Sequence, residues 1–306
     1  AERSNNAFIG QKERCPIFLT QEMKKMILFG PSGNSESFYS EGHSSSLEAP
    51  AWLAQKGLDA YEYSFGRGVN LSRETAEKLG QAMKEKGIAL SVHAPYYINL
   101  ANPDPQKREA SLGYILESAK RARWMGAERV VVHVGAPMKL ERETAMENCR
   151  EGLLCAQKML DENGLSHIHL CPETMGKKGQ MGDLEETLQF CLLEERFIPC
   201  LDFAHIHALH QGRLNDTADF EEVLDIAENM LGKERMQNMH VHFSTIEFTA
   251  AGEKRHRTFA ETAYGPRFHH LAPLLKNRNY TPRIICESKG TMAEDAMEMK
   301  RIWETL

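Results

Sequence analysis

The chain has 306 residues, 42% hydrophobic and 26% charged, with 37 basic against 43 acidic side chains for a formal charge of −6. That length suits two average domains or one α/β barrel of roughly 250 residues, and every apolar run stops within about six residues, far short of the roughly 18 a membrane span needs. The acidic balance argues against a surface coated in basic patches while leaving room for one basic groove, and seven cysteines without CxxC pairs suit a reducing cytoplasm, five of them in core-like patterns.

Residues 1–25 lack the apolar segment of a signal peptide and show no periodic pattern, so they are read as a leader or extension ahead of a domain spanning 26–306. Met26 then opens a strand-like run, MILFG, at 26–30. Seven more follow at 59–65, 88–95, 129–135, 167–173, 198–203, 239–244 and 283–288. Between them, 72–86 and 107–125 keep apolar residues three and four apart, as amphipathic helices do. Asp183 and Glu186 have capping-box spacing for a helix running to 193. The segments 141–162, 217–231 and 292–303 complete the alternation. Eight strand-plus-helix units without a composition break predict a single α/β domain, a (β/α)8 TIM barrel. A doubly wound sheet competes, but it normally stops at about five or six strands.

Six of the eight runs finish with a metal-type ligand. His93 lies in SVHAP, His133 in VVHVG, Glu173 in LCPET, Asp202 and His205 in CLDFAH, His240 and His242 in MHVHFS, and Glu287 in ICES. In a barrel the C-terminal strand ends converge on one mouth, so these distant residues become neighbours. Imidazoles mixed with carboxylates suit zinc, manganese or iron(II) better than calcium or magnesium. Glu173, Asp202 and Glu287 end apolar strands with no lysine or arginine in the same strand endings except Lys289. Buried carboxylates need a positive neutraliser, and a bound cation is the simplest one. His167 and His169, lower on the fifth strand, are expected to be hydrogen-bonded core residues. His240 and His242 share parity, so periodicity leaves open which of them ligates; His240 is preferred.

The ordered set HAPYYIN, VVHVG, PE followed by GKKGQMG, CLDFAH, MHVHFS, GEKRH and ICES resembles the successive motifs of the endonuclease IV family, zinc-dependent apurinic/apyrimidinic endonucleases built on a xylose-isomerase-like barrel. The resemblance runs from about the third strand to the eighth. It implies a first zinc held by His93 and His133, with Glu173, the key catalytic residue, bridging to a second zinc that also takes Asp202, His240 and Glu287. A third zinc would use His205 and His256 plus an aspartate, at whose position this chain has Lys254. A lysine ammonium repels a cation, so the third site is weakened, rebuilt with Glu253, or replaced by the lysine charge acting on a phosphate. FGPSGNSESFY after the first strand also lacks the family's early histidine.

The resemblance further implies hydrolysis by a metal-bound hydroxide on two or three Zn2+ ions, Mn2+ or Fe2+ being possible substitutes, with the nick placed 5′ to an abasic site. The expected partner is double-stranded DNA, with no membrane, and the expected protein is a cytoplasmic monomer. Tyr96 matches an inserting tyrosine, Tyr97 stands where a smaller wedge is usual, and Arg67 is placed like an inserting arginine. Lys254 and Arg255, together with Lys177, Lys178 and Arg257, would supply phosphate contacts. Two alternatives stay open: a sugar or sugar-phosphate isomerase or epimerase using Glu173, Asp202, His240 and Glu287, and a catalytically altered paralogue that binds damaged DNA without cutting it.

Overall fold

The structure, a computed structural model, describes residues 26–66 and 68–306. The expected leader 1–25 and Arg67 lie outside the described residues. Ten strands follow in chain order: β1 (Leu28–Pro31), β2 (Ala60–Ser64), β3 (Ala89–His93), β4 (Arg129–Val132), β5 (His169–Pro172), β6 (Cys200–Asp202), β7 (His240–Phe243), β8 (Thr245–Thr249), β9 (Gly252–Arg257) and β10 (Arg283–Cys286). All except β8 and β9 are parallel, in two four-stranded sheets ordered β2-β3-β4-β5 and β6-β7-β10-β1. Parallel bridges Ser32–Glu62 and Glu173–Cys200 join the two sheets into a closed barrel. Each expected strand run therefore overlaps one barrel strand, β1 ending one residue past its run at Pro31.

Alternation along these strands sorts side chains into two cores. Val130, Val132, Leu170, Leu201, Val241 and Ile284 point outward into the main hydrophobic cluster under the helices, whereas Val131, Cys171 and Cys200 form a separate cluster. That is the pattern of a barrel packed on both faces. Closure at the β1–β2 seam is tight: a Cβ at Gly30 would lie 1.8 Å from the Ala60 carbonyl oxygen. Cys149, Cys171, Cys191, Cys200 and Cys286 are buried free thiols, and Cys155 is exposed.

The helices follow their sequence signals. Ser72 caps Arg73–Glu85 through its hydroxyl, and the Asp183–Glu186 capping box forms at the start of Leu184–Leu192. Pro105–Met125, Arg142–Glu162, Thr217–Leu231 and Met292–Glu304 occupy the other expected segments. Among the described residues no helix is long and apolar enough to cross a membrane. Unexpected elements include the β8–β9 hairpin, the helix Phe203–Leu209 directly after β6, the short helices Glu36–Ser40, Ala49–Gln55 and Lys233–Gln237, and Phe268–Arg278, whose internal Pro273 reads as a breaker. Of the histidines expected in the core, His169 is half-buried and its Nδ1 lies 2.8 Å from the Arg196 carbonyl oxygen. His167 is instead exposed, because it lies in the turn before β5 begins.

Candidate metal centre

Five of the strand ends place a side chain around one carboxylate, Glu173, which follows β5 and is fully buried. Its Oε2 is 3.1 Å from His93 Nε2 and 2.9 Å from His133 Nε2. Its Oε1 is 3.1 Å from His242 Nδ1 and 3.4 Å from His205 Nδ1. His242 Nδ1 is also 3.6 Å from Glu287 Oε1. The donor atoms of Glu173, Asp202, His242 and Glu287 all lie within 4.8 Å of one another, as do those of His93, Glu173 and His242. Asp202, His205 and His256 form a third such group.

His240, the preferred ligand, lies away from the Glu173 cluster and groups with Cys200 and His242, whereas His242 reaches Glu173. Strand register separates them: β6 and β7 pair so that Asp202 lies beside His242 and Cys200 beside His240. His240 therefore points into the barrel about 7 Å lower, two residues down the same strand face. There its Nε2 is 3.0 Å from Glu62 Oε2. Glu62, fully buried on β2, escaped the sequence reading. An acid inside the run AYEYS was the available signal.

Backbone carbonyls set the tautomers of two rim histidines. His93 Nδ1 lies 2.7 Å from the Ala94 carbonyl oxygen and His205 Nδ1 2.9 Å from that of Thr174. A carbonyl can only accept, so both Nδ1 atoms carry hydrogen and both Nε2 lone pairs can face a cation. His256 Nδ1 is 2.7 Å from Ser244 Oγ, with its Nε2 3.7 Å from Glu287 Oε2.

The electrostatics call for positive charge. Among the described residues, Glu173, Asp202 and Glu287 have only histidines within ion-pair distance, and Asp202 Oδ2 has no hydrogen-bond partner. Burial pushes the Asp202 carboxyl up, against the pull of His205 and His256. Burial opposes charge on His93, but its hydrogen bond to Glu173 and the neighbouring carboxylates lift the imidazole to about 9. Below, burial drives His240 down to about 3 despite Glu62 beside it. The rim thus recruits protons where a divalent cation would serve, and its imidazole–carboxylate donors fit zinc, manganese or iron(II).

The β8–β9 hairpin brings Glu253 and His256 over this rim. Glu253 Oε2 is 3.6 Å from His205 Nε2, whereas Lys254 turns away, its Nζ 2.6 Å from Glu247 Oε1. Arg255 and Arg257 bind the same Glu247 carboxylate. Two glycines permit this approach. A Cβ at Gly176 would lie 2.8 Å from Glu253 Cβ, and Gly252, at φ +100°, would place one 2.1 Å from the Gly176 oxygen.

Above the cluster opens a cavity of about 320 Å³, lined by His93, His133, His205, His256, Glu253 and Glu287 together with Tyr96, Lys177 and Gln180. Tyr96 is 67% exposed and its ring centroid is 5.6 Å from that of Tyr97, which in turn is 5.0 Å from Tyr114. The three tyrosines form an aromatic ledge at the mouth.

Residues 50–303 match the family model of the xylose isomerase-like TIM barrel. An uncharacterized protein of Methanocaldococcus jannaschii is 35% identical over 279 residues, covering 90% of this chain and 96% of its own length. The probable endonuclease 4 of Acholeplasma laidlawii is 29% identical over 217 residues, 64% of this chain and 72% of its own. Among solved structures, endonuclease IV from Thermus thermophilus superposes with a TM-score of 0.66 at 20% identity, covering 91% of this chain and 98% of that one. The 3-keto-D-glucoside 4-epimerase of E. coli superposes with a TM-score of 0.64 at 15% identity, covering 91% and 100%. Both share the fold.

Proposed function

The chain belongs to the xylose isomerase-like TIM barrel family, and from that premise we propose that it is a divalent-metal-dependent phosphodiesterase of the endonuclease IV kind, cutting DNA 5′ to abasic sites. One observation carries the reading. Glu173 turns its two oxygens to two different ligand groups, His93 and His133 on one side and His242 on the other. A carboxylate so shared suits a pair of cations rather than one. The similarity to probable endonuclease 4 sequences points the same way.

In this reading His93, His133 and Glu173 hold a first ion, and Glu173, Asp202, His242 and Glu287 a second. His205 and His256 would hold a third with Asp202, and Glu253, 3.6 Å from His205, would add a carboxylate where Lys254 does not. Bound ions would supply Lewis acidity toward phosphoryl oxygens and would acidify water near neutral pH. The chain's own residues do the rest. The tyrosine ledge of Tyr96 and Tyr97 offers flat apolar surface against bases left unstacked beside a missing one. Lys177, its Nζ 3.8 Å from Glu253, stands at the cavity edge where a phosphate would arrive. Lys254 and Arg255 outnumber the one carboxylate they share with Arg257, so the hairpin keeps a positive face toward a DNA backbone.

The test is a duplex with one tetrahydrofuran abasic analogue, incubated with zinc- or manganese-loaded protein. A nick 5′ to the analogue, leaving a 3′-hydroxyl and abolished by chelator, is expected; a metal-replete preparation that leaves the duplex intact contradicts the reading.

A sugar epimerase is the second reading. It is favoured by the four-residue set Glu173, Asp202, His242 and Glu287, drawn from the ends of β5, β6, β7 and β10, and by barrel neighbours that include 3-keto-D-glucoside 4-epimerase. One ion per chain would favour it, and two or three would favour the endonuclease.

A further inference from the structure

We infer that Glu62 is a positioning residue for His242, accepting the Nε2 hydrogen of that imidazole and thereby freeing the Nδ1 lone pair for the rim cluster. The inference rests on the reading of His242 as a metal ligand. Glu62 reaches across the barrel interior from β2 to β7, and its Oε1 lies 2.9 Å from His242 Nε2. On the opposite side of the same ring, Nδ1 faces Glu173 Oε1 at 3.1 Å and Glu287 Oε1 at 3.6 Å. Among the described residues, neither His242 Nε2 nor Glu62 Oε1 has a hydrogen-bond partner elsewhere; the two buried atoms face each other at 2.9 Å without the alignment of a formed hydrogen bond, so each is the partner the other lacks.

A neutral imidazole carries one N–H, and the nitrogen without it is the one that ligates. Carboxylates flank both nitrogens of His242, so the ring alone does not choose. A cation at the rim takes Nδ1, which obliges Nε2 to keep the hydrogen, and a buried N–H needs an acceptor. Glu62 Oε1 is the acceptor within reach. Its other oxygen is anchored: Ser91 donates its hydroxyl to Oε2 at 2.8 Å, and His240 Nε2 lies 3.0 Å from the same atom. Register places Ser91 beside Glu62 across β2 and β3. Among the described residues no lysine or arginine pairs with Glu62, so its charge is directed at imidazoles. A carboxylate behind a ligating histidine fixes the ring's orientation and raises its basicity, and losing such a partner costs about 10–100-fold in metal affinity.

The experiment uses the full chain loaded with zinc. Long-range proton–nitrogen NMR reads the tautomer of His242 directly, and chelator competition reads zinc affinity for the parent, Glu62→Leu and Glu62→Gln. The parent should show His242 with hydrogen on Nε2. Glu62→Leu should bind the zinc assigned to Glu173, Asp202, His242 and Glu287 about 10–100-fold less tightly, while Glu62→Gln, whose amide oxygen still accepts, should recover most of that loss. The inference is overturned by hydrogen on Nδ1 in the loaded parent, by unchanged affinity in Glu62→Leu, or by equal losses in both variants. The NMR result holds even if a variant fails to fold. Tight zinc with the Nε2–H form but no nicking would sink the endonuclease reading alone, and a parent that binds no divalent metal would overturn both.

Discussion

The two ends of the barrel solve the burial of charge in opposite ways. At the N-terminal end, Arg129 donates to Asn238 Oδ1 and to the carbonyls of Asn238 and Met239, and Arg283 donates to the carbonyl of Leu90. Among the described residues neither has a carboxylate within ion-pair distance, and burial together with Arg129 next to it pulls Arg283 down to about 9. At the C-terminal rim three acids sit among imidazoles, with no lysine or arginine among the described residues paired to them. Neutral carbonyls complete the lower end from within the chain. The rim instead leaves its acids facing imidazoles, donors of the kind that could hold a metal ion.

The largest expected effect separates the two ends outright. Glu173→Ala removes the carboxylate shared by both ligand groups, so nicking of an abasic duplex should fall on the order of 10³-fold or more, as several kcal/mol of charge stabilisation vanish. Near-parental nicking rates would break the contrast. At the other end, Arg129→Met should lower unfolding free energy by about 2–3 kcal/mol, because Asn238 and Met239 lose donors. Denaturant unfolding measures this, and metal content should stay at the parental level. Loss of an ion there would show that the two ends are not independent.

The hairpin offers a finer contrast between neighbours. Glu253→Ala should weaken the least tightly held ion by about tenfold or more, a ligand contact worth upward of about 1.4 kcal/mol. Lys254→Ala should change its affinity less than about threefold, since Lys254 points at Glu247. Chelator competition compares them, and the reverse order would restore Lys254 to the site. The smallest effect lies at Glu247, whose carboxyl is held down to about 2 by hydrogen bonds from Lys254, Arg255 and Arg257. A carboxyl lowered on folding supports the hairpin above its ordinary range and loses that support as pH falls toward about 2. An NMR titration showing the ordinary value near 4.5 would remove the anchor.

The barrel was legible because its strands are short apolar runs separated by capped or amphipathic helices, local signals that survive without tertiary context. The clustering of the rim side chains was largely legible for a related reason: a histidine or acid at the end of an apolar strand is conspicuous. What escaped depends on contacts between distant strands. His240 and His242 share a face, and only the β6–β7 register sets His242 beside Asp202. Glu62 between two tyrosines reads as an ordinary outward polar residue, and its partners Ser91 and His242 come from β3 and β7. The hairpin segment GEKRH is too charged to look like a strand. It is held by one carboxylate, Glu247, and by the close approach of Gly176 and Gly252.

The most direct test of the shared-carboxylate account is anomalous scattering from crystals of the metal-loaded chain, collected at the metal's absorption edge. Two peaks about 3.5–4 Å apart flanking Glu173, one by His93 and His133 and the other by His242 and Asp202, are the expected result. A single peak, or ions bound away from Glu173, would contradict it.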